Sequence, residues 1–330
     1  MRKQGPIVKI LLWMLLAAMV LTGCGKKDKD AEQNGKGGIS VSGEVDPDTE
    51  ILKVGLTGVS LRELYVYVLH LKEQYEPVLG DRVWYLNTGD GDKTVEQLAK
   101  DQLLETVTEV KIINKNAEKN DIKLDEEDEN TLKTAVSTYY ASLDQEAKDK
   151  YGITEEVLYR VYRENMLAET AFEIMTNDLD TDDLVKDVRE IHTAFFYVSG
   201  TDAAAEKEAK SLRKQALKEE DFTAFARSNS QSMVTEHTFG RDDTTLEPAF
   251  VEASFALSTG DVSPVIKGEE GYYVIYCVSD NDEDATTKRK TSLILEAQKE
   301  SFYQTYAEWA KDIKVTVNSS AWDSIFIRTN

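Results

Sequence analysis

The spacing of apolar residues changes character twice along the chain, and no other feature constrains the fold as strongly. Ser60 precedes a face formed by Leu61, Leu64, Tyr65, Val68 and Leu71, three and four residues apart as on a helix. Thr94-Val95-Glu96-Gln97 is a capping box, and it opens a second helix with Leu98, Leu104, Val107 and Ile112 on its apolar stripe. A third helix is expected over roughly 126–143. Gly152 and Thr154 stop one helix and cap the next, which continues through Leu158, Val161, Met166 and Phe172. Near Asp187 the pattern becomes strand-like. Residues 191–198, Ile-His-Thr-Ala-Phe-Phe-Tyr-Val, are β-branched and aromatic. After them come a helix over about 202–218, a short helix opening at Asp221, a loop over 229–249, a short helix near 250–257, and a hairpin of 263–267 with 271–278. Helical spacing returns over 288–311 with Leu293, Leu295, Phe302, Tyr306 and Trp309. Short strands at 51–54 and 314–317 are placed to pair, and 321–326 reads as a last short helix. The pattern is α+β: helix-rich stretches toward both ends of the chain, with a strand-bearing stretch between them.

The amino terminus reads as an address. Arg2, Lys3 and Lys9 precede an uninterrupted apolar run over 10–21. At 1.5 Å per residue that run reaches about 18 Å, short of the ~30 Å of a bilayer core, and it fits a signal-peptide h-region. It ends in Leu21-Thr22-Gly23-Cys24, which resembles a bacterial lipobox. The resemblance implies removal of residues 1–23, acylation of Cys24, and an extracytoplasmic chain anchored to the cell membrane. Residues 24–49 are rich in Gly, Lys, Asp and Ser and read as a flexible tether.

Composition removes several function classes. The chain has 330 residues, room for roughly two domains of ~150. Its 39 Lys and Arg against 61 Asp and Glu give a formal net charge of −22, so nucleic acid is not an expected partner. Two cysteines, Cys24 and Cys277, make no disulfide framework, and three histidines, His70, His192 and His237, offer no structural zinc set. Asp178-Leu179-Asp180-Thr181-Asp182 imitates a calcium loop, but Asp183 stands where the loop needs Gly and Arg189 where it needs Glu. No P-loop or dinucleotide fingerprint is present, and neither a cofactor nor a metal is expected.

The most specific signal is the segment 246–265, Leu-Glu-Pro-Ala-Phe-Val-Glu-Ala-Ser-Phe-Ala-Leu-Ser-Thr-Gly-Asp-Val-Ser-Pro-Val. It resembles the parvulin family of peptidyl-prolyl isomerases, whose pattern there is a hydrophobic residue, Pro-x-Phe-x-x-Ala-x-Phe-x-Leu, and then a turn ending in Ser-x-Pro-Val. Strand 191–198 and Asp221-Phe222-Thr223-Ala224-Phe225-Ala226 also resemble family segments. The flanking helices are similar to those of extracytoplasmic foldases of the PrsA and SurA kind. The resemblance implies domains at 187–281, parvulin-type, and at 50–186 with 286–330, a chaperone-like helical domain.

It also implies a site. Leu246 and Phe250 fall on the family's proline pocket, and Phe255 reads as core. His192 falls on the strand histidine, Ser230 on the family's Cys or Asp, and Tyr273 on its second histidine. A tyrosine hydroxyl still donates and accepts hydrogen bonds. His237 is read as solvated in a polar loop and Cys277 as a small buried hydrophobe. The implied activity is cis-trans isomerisation of X-Pro bonds in unfolded or nascent secreted polypeptides. The departures at Ser230 and Tyr273 make a binding-only holdase the competing reading. A solute-binding lipoprotein is a third, opposed by the helix-dominated first half.

Overall fold

The computed structural model describes residues 40–41, 46–89 and 93–327. The signal segment, Cys24 and most of the tether lie outside the described residues. The chain divides into two compact units, one of Met1–Asp178 with Phe302–Asn330 and one of Leu179–Ser301. The fold is α+β, as the periodicity suggests.

The first unit contains, in chain order, β1 (Ser40–Val41), β2 (Glu50–Val54), β3 (Thr57–Ser60), α1 (Leu61–Leu79), a 3-10 turn (Asp81–Tyr85), α2 (Val95–Lys119), α3 (Glu126–Ser142), α4 (Gln145–Tyr151) and α5 (Glu155–Thr176). The helix starts are chemically marked. Thr94 Oγ1 accepts from Gln97 N at 3.3 Å while Gln97 Oε1 accepts from Thr94 N at 2.8 Å. Asp125 and Thr154 cap α3 and α5 in the same sense. Gly152 ends α4 at φ +61°, where a side chain would be strained. The buried stripe of α2 is shifted from its expected position. Val95, Ala99, Leu103, Val107 and Val110 are buried, whereas Leu98 and Leu104 are half-buried, because α2 packs on both the 3-10 turn and α5.

The second unit holds α6 (Asp182–Val185), β4 (Glu190–Ser199), α7 (Ala203–Ala216), α8 (Phe222–Asn229), β5 (Glu236–Gly240), α9 (Pro248–Phe255), β6 (Ile266–Lys267) and β7 (Gly271–Ser279). Its sheet has the order β5-β4-β7-β6, antiparallel throughout. Strand β5 lies within 229–249, where the sequence suggests only a loop; its five residues are too polar to show a strand pattern. On β4 and β7, alternate residues go to opposite faces. Ala194, Phe196, Val198, Tyr272 and Val274 pack against Ala209 of α7 and Phe222 and Ala226 of α8. Ile191, Phe195 and Ile275 face the other way, with Phe239, Phe250 and Phe255. Ser263 extends the sheet without being in a strand: its N–H donates to Ile275 O at 2.7 Å and its Oγ accepts from Ile275 N at 2.9 Å.

Helix α10 (Glu283–Ala310) begins inside the polar run that precedes 288, and Asp282 caps it through Ala285 N at 3.0 Å. The chain re-enters the first unit at Phe302, inside this helix, and continues with β8 (Val315–Val317), α11 (Ser319–Asp323) and β9 (Ile325–Phe326). The last helix is shorter than expected because 325–326 pair with β1. Strand β8 pairs antiparallel with β2, Leu52 opposite Val317 and Val54 opposite Val315. Lys100 Nζ donates to Trp322 O at 2.9 Å and Ile325 O at 2.8 Å, and Glu96 accepts from Ile327 N at 2.6 Å. The C-terminal segment is thus hydrogen-bonded into the helical unit.

Between α1, α2 and α5 lies a buried ionic cluster. Lys111 Nζ meets Glu164 at 2.6 Å and Glu63 at 3.1 Å, and Arg160 reaches Glu63 at 3.0 Å. Burial pushes the Glu164 carboxyl up, and Lys111 opposes that shift. Lys111→Ala would leave two carboxylates facing each other without their shared cation. The expected loss is about 3–5 kcal/mol in urea unfolding of the full chain, and a midpoint within error of wild type would show that the cluster is not stabilising.

Candidate active site

The face of the sheet that carries Phe195 is not fully covered. α9 lies over part of it, and beside α9 an open cleft of about 460 Å³ remains. Pro248 at the first turn of α9 fixes the entry of that helix, and Phe250 follows on its inward face. Phe250 is buried, with its ring 5.0 Å from Phe195 and 5.2 Å from Tyr273, both edge to face. His237 stacks on Phe195 at 5.2 Å with the planes 12° apart. Tyr197 stands 4.9 Å from Tyr273. With Leu246 these rings form an apolar floor. Gln231, Ser232, Glu247, Glu269 and Glu270 supply the polar edge.

One polar pair is fixed in place. Tyr273 donates its hydroxyl to Glu247 Oε1 at 2.9 Å, and Glu269 N–H donates to Glu247 Oε2 at 2.8 Å. Burial, then the Glu247 carboxylate, raises the Tyr273 hydroxyl far above its ordinary range, so it remains a neutral donor. Gly268 makes room for the pair. A Cβ there would stand 2.5 Å from Glu247 Oε2 and 2.6 Å from the Tyr273 ring.

Of the residues singled out in the sequence, Leu246, Phe250 and Tyr273 line this cleft. His192 does not. It pairs with Thr238 across the β4–β5 ladder, on the face of Ala194 and Phe196, and its ring meets Glu236 at 3.4 Å. The β4 residues at the cleft are Phe195 and Tyr197, of the opposite parity. Ser230 does not line it either. It is the residue after α8, and its Oγ accepts from Tyr197 N and Ser232 N, each at 3.1 Å. The serine at the cleft is Ser232. His237 also departs from its reading. It lies in β5 opposite Thr193, faces the cleft, and is no solvated loop residue. Strand parity separates His192 from Phe195 and Tyr197; no signal in 229–249 marks β5. Phe255 is buried in the cluster under α9, and Cys277 is a free, fully buried cysteine whose thiol is pushed up by that burial.

Residues 191–279 match the family model described as a PPIC-type PPIase domain. The chain is 25% identical to the foldase protein PrsA of Clostridium tetani over 344 residues, which covers 92% of this chain and 93% of that one. It is 28% identical to the PrsA of Streptococcus sanguinis, over 59% of this chain and 62% of the relative. A crystal structure of PrsA from Streptococcus pneumoniae covers 72% of this chain and 96% of its own, at 22% identity and a TM-score of 0.32. Residues 191–279 therefore form a parvulin-type module, in a chain that resembles PrsA foldases along most of its length.

Burial lowers the His237 pKa, against a smaller opposing pull from Asp243. The folded chain then keeps His237 neutral at pH values where the unfolded chain, with a pKa of about 6.5, takes up a proton. The resulting contribution is fully present above about pH 6.5 and is lost as pH falls through the folded pKa. Wild type should lose more thermal stability between pH 7.5 and pH 5 than His237→Phe does. Equal losses in the two melting curves would show that the ring is not held neutral.

Proposed function

We propose that this chain is a lipid-anchored extracytoplasmic foldase that binds unfolded secreted proteins and isomerises their X-Pro bonds. The observation that carries the reading is the aromatic cleft of Phe195, Phe250, Tyr273 and Leu246 inside the PPIC-type segment. The similarity to PrsA foldases over most of the chain supports the same role. Among the described residues no helix is long and apolar enough to cross a membrane. Cys24, whose place in a lipobox supports acylation, is the attachment point in this reading.

The chemistry asked of the cleft is modest. Rotation about a prolyl bond loses amide resonance, over a barrier of about 18–20 kcal/mol, and transfers no proton. A binding site accelerates it by holding the twisted amide better than the planar one. The ring floor removes the pyrrolidine from water and anchors it while the rest of the chain turns. In the planar amide the carbonyl oxygen carries partial negative charge, which recedes on twisting. The Glu247 carboxylate, fixed by Tyr273 and the Glu269 N–H, disfavours the planar form electrostatically wherever that oxygen faces it. The hydroxyls of Ser232 and Tyr197 and the side-chain amide of Gln231 are donors at the cleft that could meet the pyramidal nitrogen.

The second reading keeps the fold without turnover: a holdase whose cleft only binds. The observation favouring it is that Phe195, not a histidine, occupies the strand position at the cleft floor. Exposed Met233 and Val234 next to Ser232 offer apolar surface to an unfolded chain under either reading.

A protease-coupled assay on X-Pro peptides separates the two. Wild type should accelerate isomerisation. Tyr273→Phe removes one hydroxyl from a bond to a charged partner worth about 1.5–3 kcal/mol, so kcat/KM should fall tenfold or more with little change in fold. Phe250→Ala should abolish turnover, but it also costs about 3–5 kcal/mol of stability and needs circular dichroism beside it. No acceleration by wild type on any peptide would leave the holdase. For attachment, Cys24→Ser should release the protein from the membrane fraction; retention at the wild-type level would remove the anchor from the proposal.

A further inference from the structure

The cleft has a charge pattern that its apolar floor does not require. Three carboxylates border it: Glu247 immediately before α9, and Glu269 and Glu270 in the β6–β7 turn. They come from two separate stretches of chain, converging on one rim. None of the lining residues is Lys or Arg. The nearby cations are directed elsewhere. Lys267 sits opposite Tyr272 and so takes the other face of the sheet, and Arg227 is bound to Glu236 at 2.5 Å, also on that face. Glu269 and Glu270 are exposed, free to follow a ligand, whereas Glu247 is held by two hydrogen bonds.

We infer that the cleft selects X-Pro segments in which the residue next to the proline is lysine or arginine. The inference rests on the proposal that the aromatic floor receives the proline. With the ring seated there, an adjacent residue lies about 3.3–3.6 Å along the chain, within side-chain reach of the rim. The stem of a lysine or arginine lies along the aromatic faces of Tyr197 and Tyr273 while its cation meets the carboxylates. An adjacent glutamate brings a like charge against three others. The chain's formal charge of −22 adds long-range attraction for basic clients before contact.

The test is binding of dye-labelled peptides to the full chain, read by fluorescence anisotropy. The set carries Lys, Ala or Glu immediately before or after a single proline, with a matched set in which alanine replaces that proline. The best lysine peptide should bind about tenfold more tightly than its glutamate counterpart at low ionic strength, and the ratio should shrink in 0.5 M salt. Glu269→Gln with Glu270→Gln, two exposed sites, should bring the ratio close to one. Proline peptides that bind better than their alanine controls but equally for Lys, Ala and Glu would overturn the charge selection and leave the proline cleft standing. Peptides that bind no better with proline than without it would overturn the cleft reading and the selection with it.

Discussion

Strand β4 is hydrogen-bonded on both sides, to β5 and to β7, and it is apolar on both faces. This double burial is the constraint on which the second unit depends. Even-numbered Ala194, Phe196 and Val198 must meet the helices, so Phe195 and Tyr197 must turn to the opposite face. The same parity on β7 sends Tyr272 and Val274 to the helices and brings Tyr273 beside Tyr197. The cleft floor is therefore a by-product of how the sheet closes its main core. It is as rigid as that core, since moving Phe195 would require β4 to slip by one residue and exchange every side chain between faces.

The cover of that floor follows from the segment after it. Pro248 starts α9, Phe250 fills the angle between the helix and Phe195, and Gly268 lets the β6–β7 turn approach Tyr273 and Glu247. Ser263 contributes in a less visible way. By bonding Ile275 through both its N–H and its hydroxyl, it ties the chain after α9 to β7 without a full strand. That explains why a serine stands there in a turn otherwise defined by Gly260, Asp261 and Pro264.

What was legible in the sequence divides along physical lines. Capped, strongly periodic helices were readable, because their signals are local. So were the Leu246 and Phe250 side of the cleft and the pairing of β2 with β8. Strand β5 was not, since Glu236, His237 and Thr238 carry no apolar alternation and the strand exists through its ladder with β4. Polar site residues are the least legible. His192 is a histidine on the strand that runs under the cleft, but its parity carries it to the opposite face. Ser230 follows the end of α8, where backbone N–H groups of β4 and of the turn, Tyr197 and Ser232, claim its hydroxyl. For His192 the deciding quantity is side-chain direction, fixed by its pairing with Thr238 in the β5 ladder; for Ser230 it is the backbone N–H of Tyr197, brought close by the fold.

The composition of the cleft bears on whether catalysis of amide rotation requires histidine at all. Enzymes that move protons need a group with a pKa near the working pH, and the one imidazole here is stacked on Phe195 with its pKa lowered by burial. Rotation about a prolyl bond moves no proton, so that requirement does not apply. What it does require is a fixed field across the amide and a dry surface for the ring. On the proposed function Tyr273 serves both needs: its ring walls the cleft, and its hydroxyl orients Glu247 without ionising. Burial and the neighbouring Glu247 hold the Tyr273 hydroxyl far above its ordinary range, so this donor keeps its proton near neutral pH.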